Sequence, residues 1–191
     1  MIAAVLAGGQ GRRFGGEKGM ALFRGKPMVA WALAAVCGHV SSSVIISNNQ
    51  ELYSGLGVPV FPDRIKGMGP LSGLDSAFHF TGEDYIFLMA CDMPLASGLM
   101  VEHIIRQAGV FAEDAVIPVA GGLEQGLFAI YRKSAIEKNI ERIERGAIQF
   151  DEFRSTLKKR LIPEESLRLV EQGLESFSNV NRRDDLRRLE E

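Results

Sequence analysis

A glycine-rich, cationic loop directly follows a short apolar run at the start of this 191-residue chain. The apolar residues 2–5 lead into the stretch LAGGQGRRFGGEK, which spans residues 6–18. Glycines let the backbone approach a ligand without Cβ atoms in the way, and consecutive N–H groups in such a loop form a concave anion site. Arg12, Arg13 and Lys18 add positive charge beside it. The pattern therefore predicts a phosphate-binding loop.

The spacing of the loop excludes the two commonest phosphate-binding motifs. A P-loop requires lysine directly after the second glycine of G-x-x-x-x-G-K, but Gly11 and Gly16 are followed here by Glu17. A dinucleotide fingerprint that starts at Gly9 would need its third glycine where Phe14 stands, and an acidic residue at the end of the second strand. The loop therefore belongs to another class of nucleotide site.

Asp92 is the strongest candidate for a metal ligand. It follows the apolar run 85–91, which predicts a central parallel strand covered on both faces. A carboxylate at the end of such a strand is costly to bury unless it is compensated, and Mg²⁺ takes one or two carboxylates together with phosphate oxygens. The alternative is that Asp92 caps the helix that follows Pro94. The residues alone leave both interpretations open.

The pattern of strands and helices places these residues at one edge of a sheet. Their alternation up to residue 108 predicts a doubly wound α/β sheet, in which ligands bind at the carboxyl ends of the strands. The glycine loop, Ser47, Asp63 and Asp92 all follow predicted strands. The predicted strands are 2–5, 44–46, 58–61, 85–91, 115–119, 127–131 and, at an edge, 157–162; the predicted helices include 28–36, 99–108, 133–145 and 182–191, with a further helix that ends near residue 80.

Composition is that of an ordinary globular protein, and we expect a single domain over residues 1–191. The hydrophobic fraction is 46%, and the net charge of −2 gives no basic field for nucleic acid. No apolar segment reaches the ~18 residues of a membrane span. Cys37 and Cys91 stand in apolar surroundings and are expected to be reduced thiols, with the cytoplasm as the expected compartment. The three histidines lack the spacing of a zinc site.

The motifs together resemble those of the molybdenum cofactor guanylyltransferases, a nucleotidyltransferase family. The family's first signature, L-A-G-G-x-x-x-R-M-G-x-D-K followed by G-K-P, is matched by residues 6–18 and 25–27. Three further segments agree: Gly-Pro-Leu-Ser-Gly-Leu at 69–74, Cys-Asp-Met-Pro at 91–94, and Asn-Val-Asn at 179–181. The resemblance covers the whole chain. It implies a Rossmann-like, three-layer α/β fold with a mostly parallel central sheet and helices on both faces.

The resemblance implies an activity, a cofactor and a set of site residues. The implied reaction transfers GMP from GTP to the phosphate of Mo-molybdopterin and releases pyrophosphate, with Mg²⁺ as cofactor. Other cofactor-assembly proteins or target molybdoenzymes are implied partners; a membrane and nucleic acid are not. The implied catalytic residues are Arg13, Lys18 and the metal ligand Asp92; the nucleotide-binding residues are Leu6, Ala7, Gly8, Gly9, Lys18, Asp63 and Asp92; the acceptor-side residues are Gln125, Asn179 and Asn181.

Several of these residues have simpler alternative interpretations. Arg13 and Lys18 could be exposed loop cations, and Asp63 could be a turn residue after a proline. Asn179 and Asn181 could serve as turn or cap residues before the last helix.

The family pattern is matched imperfectly, and other functions remain open. Glu17 stands where the pattern more often has Asp, and Ser47 stands where an asparagine can occur, with Asn48 and Asn49 just after it. Related cytidylyltransferases tend to read LAAG, so that Gly8 favours a larger purine base. The alternatives are a sibling enzyme that uses CTP or a sugar-phosphate or isoprenoid acceptor, and a non-catalytic nucleotide-binding regulator.

Overall fold

A mixed, mostly parallel sheet with helices on both faces forms the centre of the protein, as predicted. A computed structural model describes residues 1–8 and 16–190 of the chain. The strands are β1 (Ile2–Leu6), β2 (Leu22–Phe23), β3 (Lys26–Pro27), β4 (Ser43–Ile46), β5 (Val60–Phe61), β6 (Tyr85–Ala90), β7 (Ala115–Ala120), β8 (Leu123–Glu124), β9 (Phe128–Arg132) and β10 (Lys159–Ile162).

Strand β1 lies in the middle of this sheet. The order is β10-β7-β9-β6-β1-β4-β5, with β8 paired to β7. β1 pairs in parallel with both β6 and β4, whereas β9 runs antiparallel between β6 and β7. The chain leaves β1 toward β4 and β5 and then returns to the other side at β6. This reversal creates a crevice at the carboxyl end of β1, where ligands of such sheets bind.

The helices pack in two layers against this sheet. They are α1 (Met28–Val36), α2 (Gln50–Tyr53), α3 (Pro70–Thr81), α4 (Gly98–Ala108), α5 (Lys133–Glu137), α6 (Ile140–Glu144), α7 (Phe150–Thr156), α8 (Glu164–Arg168) and α9 (Arg183–Glu190). Helices α1, α4 and α8 share one apolar core with the sheet, and α3, α5, α6 and α7 share the other. Alternate residues of β1 belong to opposite cores: Ala3 and Val5 face one, and Ile2 and Ala4 face the other.

A close contact with β1 positions helix α3 beside the crevice. Gly73 lies on the face of α3 that meets Leu6, and a Cβ built on Gly73 would stand 2.5 Å from Leu6 Cδ2. The helix therefore approaches the end of β1 more closely than it could with any larger residue at position 73. Its neighbours Leu71 and Leu74 are fully buried in the same core. Gly73 thus sets the distance between α3 and the carboxyl end of β1.

Two local differences from the sequence-based expectations have a clear physical cause. The predicted helix 133–145 is divided into α5 and α6, because the buried Asn139 donates its side-chain amide to the carbonyl of Ala135 and interrupts the helical pattern. A short hairpin of β2 and β3 precedes α1 and was not predicted. Its turn is formed by Arg24 and Gly25, both with positive φ, as a type I′ hairpin turn requires.

The two cysteines are free thiols, with Cys37 exposed and Cys91 buried. Within the described ranges, none of the helices combines the length and apolar content needed to cross a lipid bilayer.

We expect Gly73→Ala to destabilise the protein by about 1 kcal/mol, because overpacking costs about 1–3 kcal/mol while alanine is about 1 kcal/mol more favourable than glycine inside a helix. The new methyl group must displace Leu6 or move α3 outward. Urea unfolding of the purified variant measures the change. Gly55→Ala is the matched control, since a Cβ there has no atom within 4 Å in the described structure. Equal stability of the two variants would contradict the tight contact between α3 and β1.

Candidate functional site

A cleft of about 1080 Å³ lies at the carboxyl edge of β1, β4 and β6. The strand ends are held together there by bonds beyond the regular pairing: Cys91 N–H donates to the carbonyl of Leu6, and Ala7 N–H donates to that of Ile46. Of the residues predicted from the sequence, the structure brings Leu6, Ala7, Gly8, Lys18, Asp63, Asp92 and Asn181 to the cleft wall. Gly9 and Arg13, also predicted, lie outside the described residues, as does Arg12.

Three predicted residues from distant parts of the chain meet in this cleft. Lys18 Nζ lies 2.6 Å from Asp92 Oδ2 and 3.2 Å from Asn181 Oδ1. The side chains of Lys18 and Asp92 are only 21% and 20% exposed. Lys18 is therefore held in one place by a partly buried ion pair, contrary to the alternative of a freely exposed loop cation. Hydrogen bonds to charged groups contribute about 1.5–3 kcal/mol each.

Asp92 does not cap the following helix. Helix α4 begins at Gly98, and its N-terminal cap is Ser97, whose hydroxyl accepts the N–H of Met100 at 3.2 Å. The capping alternative for Asp92 is thus wrong. One carboxylate oxygen, Oδ2, is used by Lys18, while the other, Oδ1, is buried and has no hydrogen-bond partner among the described residues.

The orphaned oxygen of Asp92 fits an Mg²⁺ ion. Mg²⁺ is usually bound through one or two carboxylates, substrate phosphates and several waters, without a full set of protein ligands. Within residues 1–8 and 16–190, no cluster of three or more histidine, cysteine, aspartate or glutamate side chains could hold a metal by itself. A metal at Asp92 would therefore be completed by phosphate oxygens and water.

The segment 179–181 positions Asn181 against Lys18. Val180 is fully buried in a small core under α1, and its N–H donates to the carbonyl of Asp92 at 2.9 Å. The carboxylate of Asp185 accepts the N–H groups of Asn181 and Arg182, both at 2.7 Å. These two backbone bonds lower the pKa of Asp185. The capping role is thus played by Asp185, and the amide of Asn181 remains available to the site.

Lys18 rests on a tightly packed base. A Cβ on the neighbouring Gly19 would stand 2.8 Å from the hydroxyl of Tyr53 and 3.3 Å from Sγ of Cys91. Tyr53 is fully buried, and its hydroxyl reaches the carboxylate of Glu17 at 3.4 Å. Burial raises the pKa of the Cys91 thiol to about 12, so the thiol is neutral at physiological pH. The cysteine therefore serves as packing and not as a nucleophile.

Asp63 lies at a different part of the cleft wall, where β4 and β5 end. Its carboxylate Oδ2 accepts Nδ2 of Asn48 at 2.7 Å, and its own N–H donates to Asn48 Oδ1 at 3.1 Å. Burial raises the pKa of Asp63, and the hydrogen bond from Asn48 partly opposes this rise. Ser47 is buried, and its hydroxyl accepts the N–H of Asn49. At the end of β4, the side-chain amide that bonds to Asp63 is therefore that of Asn48.

A second pocket of about 430 Å³ adjoins the cleft. Gly69, Pro70 and Leu127 line both spaces. Two of the predicted acceptor-side residues, Gln125 and Asn179, lie here, whereas the third, Asn181, lies in the cleft itself. The side-chain nitrogen of Gln125 is already used, because it donates to two carbonyls of its own hairpin.

Arg154 in the second pocket was missed by the sequence reasoning. Its terminal nitrogens bind Glu124 at 3.1 Å and Asp151 at 2.6 Å, while its buried Nε has no partner in the part of the chain that the structure describes. A Cβ on Gly126 would stand 2.6 Å from Cδ of Arg154. The glycine after Gln125 was the available signal, since a glycine in that position permits such a close approach.

Comparison with known proteins places these features in a family. The model of the MobA-like NTP transferase domain matches residues 3–160. A probable molybdenum cofactor guanylyltransferase from Bacillus licheniformis is 32% identical, covering 99% of this chain and 96% of that protein. A probable molybdenum cofactor guanylyltransferase from Pelotomaculum thermopropionicum is 33% identical over 95% of this chain and 88% of the relative.

A solved structure agrees with these sequence relatives. The crystal structure of molybdopterin-guanine dinucleotide biosynthesis protein A from Archaeoglobus fulgidus superposes with a TM-score of 0.83. It is 29% identical in sequence, and the match covers 98% of this chain and 96% of that one.

The raised pKa of Asp63 predicts a pH-dependent cost in stability. Between the ordinary aspartate pKa of about 3.9 and the raised value, the folded state binds more protons than the unfolded state, so stability falls as the pH rises through this window. We therefore expect Asp63→Asn to unfold at higher urea concentration than the parent at pH 7. The advantage should disappear below the ordinary pKa, where both side chains are neutral.

Urea unfolding of Asp63→Asn at several pH values tests this expectation. The control is Asp184→Asn, which neutralises a carboxylate that is 74% exposed on α9. A loss of stability in Asp63→Asn at pH 7 would show that the ionised carboxylate stabilises the fold.

Proposed function

Because this chain belongs to the MobA-like NTP transferase family, we propose that it transfers GMP from GTP to the phosphate of Mo-molybdopterin. The names of the two similar guanylyltransferases and of the Archaeoglobus protein support this choice of substrates. An oxygen of the acceptor phosphate forms a bond to the α-phosphorus of GTP. The bond from that phosphorus to the α–β bridging oxygen breaks, and pyrophosphate leaves with the electron pair. The other product is the guanine dinucleotide form of the cofactor.

The contact of Lys18 with Asp92 and Asn181 is the observation that carries the proposal. It places a fixed cation beside a carboxylate at the end of the central strands, next to the predicted glycine loop. Phosphoryl-type transfer needs little covalent chemistry from the protein, so positioning and charge stabilisation dominate. Lys18 would neutralise the charge that develops on the leaving pyrophosphate. Arg13 keeps the same predicted role.

Asp92 would hold the Mg²⁺ ion through its unpartnered oxygen. Bound there, the ion would supply charge neutralisation on the phosphate oxygens. Lys18 stays close enough to Asp92 to limit the uncompensated negative charge of the carboxylate when no ligand is bound. The protein therefore contributes a fixed pair of opposite charges. Asp92 would bind the metal, and Lys18 would bind phosphate.

The acceptor would enter through the second pocket. Asn179 lines that pocket, Asn181 lines the cleft, and the buried Val180 anchors the segment between them. Arg154 also lines that pocket, where its terminal nitrogens pair with Glu124 and Asp151. This arrangement supports entry of the two substrates from adjacent sides. Other cofactor-assembly proteins and target molybdoenzymes stay predicted partners.

Gly8 supports GTP over the smaller CTP. A Cβ built at Gly8 has no described atom within 4 Å, and Gly8 lines the cleft. A methyl group there would occupy room that is available to a large base. The LAGG sequence, in place of LAAG, is thus consistent with a purine substrate.

We expect Asp92→Ala to reduce Mg²⁺-dependent pyrophosphate release from GTP and Mo-molybdopterin at least about 100-fold, because a charge-stabilising group of the transition state is lost. Glu141→Gln changes an exposed carboxylate on α6 and should keep the parent rate. The assay is run with GTP, CTP and ATP. Turnover that survives in Asp92→Ala would refute the metal assignment.

The same assay separates the alternative functions. A preference of the parent protein for CTP would keep the fold and change the substrate. Binding of GTP without any pyrophosphate release, in the presence of Mo-molybdopterin and Mg²⁺, would support a non-catalytic regulator.

We expect Gly8→Ala to lower kcat/KM for GTP by about tenfold while that for CTP changes less, because the added methyl group narrows the space for the base. Gly55→Ala, which adds the same methyl group outside the cleft, should leave the ratio of the two values unchanged. Steady-state kinetics with GTP and with CTP measure this ratio. An equal loss for GTP and CTP would show that Gly8 does not select the base.

A further inference from the structure

Asn48 and Asp63 form a reciprocal pair at the ends of β4 and β5. The amide of Asn48 donates from Nδ2 to Asp63 Oδ2 at 2.7 Å, and its Oδ1 accepts the N–H of Asp63 at 3.1 Å. We propose that Asn48 is a positioning residue that fixes the Asp63 carboxylate for recognition of the guanine base. This inference rests on the proposed function, since it assumes that GTP is the nucleotide.

The orientation of the Asn48 amide follows from its partners. A backbone N–H can only donate, so the atom of Asn48 that faces the N–H of Asp63 must be the oxygen. The other atom is then the NH₂ group, which matches its contact with the carboxylate. Two bonds at different points of Asp63 restrain both its backbone and the rotation of its side chain.

The backbone that follows Asp63 is also held in place, by contacts with helix α3. The N–H of the next residue, Arg64, donates to the hydroxyl of Ser76 at 2.7 Å. The Arg64 guanidinium binds Asp75 through two nitrogens, at 2.8 and 2.9 Å, and Asp75 is only 2% exposed. Helix α3 therefore fixes the backbone after Asp63, whereas Asn48 contacts Asp63 itself. Loss of Asn48 removes the restraint on the carboxylate and leaves the Arg64 anchor.

The Asp63 carboxylate, held in this way, matches the hydrogen-bond donors on the Watson–Crick edge of guanine. Asp63 Oδ1 has no hydrogen bond within the described part of the chain, and a carboxylate oxygen accepts more than one donor. The carboxylate can thus accept N1–H and the 2-amino group of guanine through its two oxygens. Adenine N1 and cytosine N3 would present a lone pair to the carboxylate and be repelled. The pair therefore favours guanine over bases without these donors.

Kinetics with GTP and inosine triphosphate, which lacks the 2-amino group, test the inference. We expect Asn48→Ala to raise KM for GTP about tenfold with kcat nearly unchanged, and to reduce the preference for GTP over inosine triphosphate several-fold, since one ordering hydrogen bond is worth about a factor of ten. Asn48→Asp keeps the side-chain volume and sets a like charge against Asp63, so KM should rise at least as much.

Two further variants make the outcomes separable. Asn49→Ala removes an amide one position later that makes no hydrogen bond to Asp63 among the described residues, and it should keep the parental preference between the two nucleotides. Asp63→Asn removes the carboxylate itself and should abolish that preference. A merely structural role for Asn48 would lower the unfolding midpoint of Asn48→Ala and leave its KM for GTP at the parent value.

Each of the three claims, on Asn48, on Asp63 and on the use of GTP, is overturned by a different result. If Asp63→Asn loses the preference and both Asn48 variants keep the parental KM and preference, Asn48 does not position the carboxylate and the proposed function stands. If Asp63→Asn keeps the preference, Asp63 does not read the base and the positioning role also fails. If the parent protein does not use GTP, the proposed function itself is wrong.

Discussion

The parallel alignment of β6, β1, β4 and β5 is the constraint on which the site depends. Because these strands run the same way, their carboxyl ends lie at one edge, and residues far apart in sequence leave the sheet together. Asp92 and Asp63 reach the cleft for this reason alone. The reversal of strand order at β1 then opens the crevice in which a ligand can sit. The antiparallel β9 begins at the same edge, and Gln125 and Gly126 therefore precede it beside the cleft.

Small residues set how closely the surrounding segments approach this edge. Gly73 lets α3 contact Leu6, Gly19 lets the Lys18 segment settle on Tyr53 and Cys91, and Gly126 admits the stem of Arg154. In each case the neighbour is a side chain that would be displaced by a methyl group. The glycines of this protein thus serve packing around the cleft as well as conformational freedom in the predicted phosphate loop. Their spacing in the sequence reflects both requirements.

The sequence predicted the sheet and the residues at its carboxyl ends because these follow from hydrophobic patterns and strand direction. Lys18, Asp92 and Asn181 could be proposed together only through the family motifs, since nothing in one dimension brings residues 18, 92 and 181 into contact. The partnership of Asn48 with Asp63 could not be predicted. It joins two loops through side-chain hydrogen bonds, and Ser47 was the more obvious position to consider.

Arg154 and the division of 133–145 were missed for related reasons. Arg154 lies on a short helix with a mixed pattern, and its place in the second pocket depends on the glycine opposite it. Asn139 interrupts its helix through a bond to Ala135 that competes with the regular helical pattern. Periodicity counts apolar positions and does not register such side-chain to backbone bonds. The place of Arg154 and the division of the helix therefore depend on contacts that the local sequence pattern does not contain.

The charged groups that the structure describes in the cleft have polar neighbours within the protein. Lys18 compensates Asp92, and Asn48 gives a hydrogen bond to the half-buried carboxylate of Asp63. An uncompensated charge in such a place would cost several kcal/mol or be neutralised by a change of protonation. In the proposed function, a ligand that carries phosphates and a metal would exchange partners with the Lys18–Asp92 pair, so that the cation meets phosphate and the carboxylate meets the metal. Without a ligand, Lys18 and Asp92 compensate each other's charge, which limits the cost of holding both groups in a partly buried site.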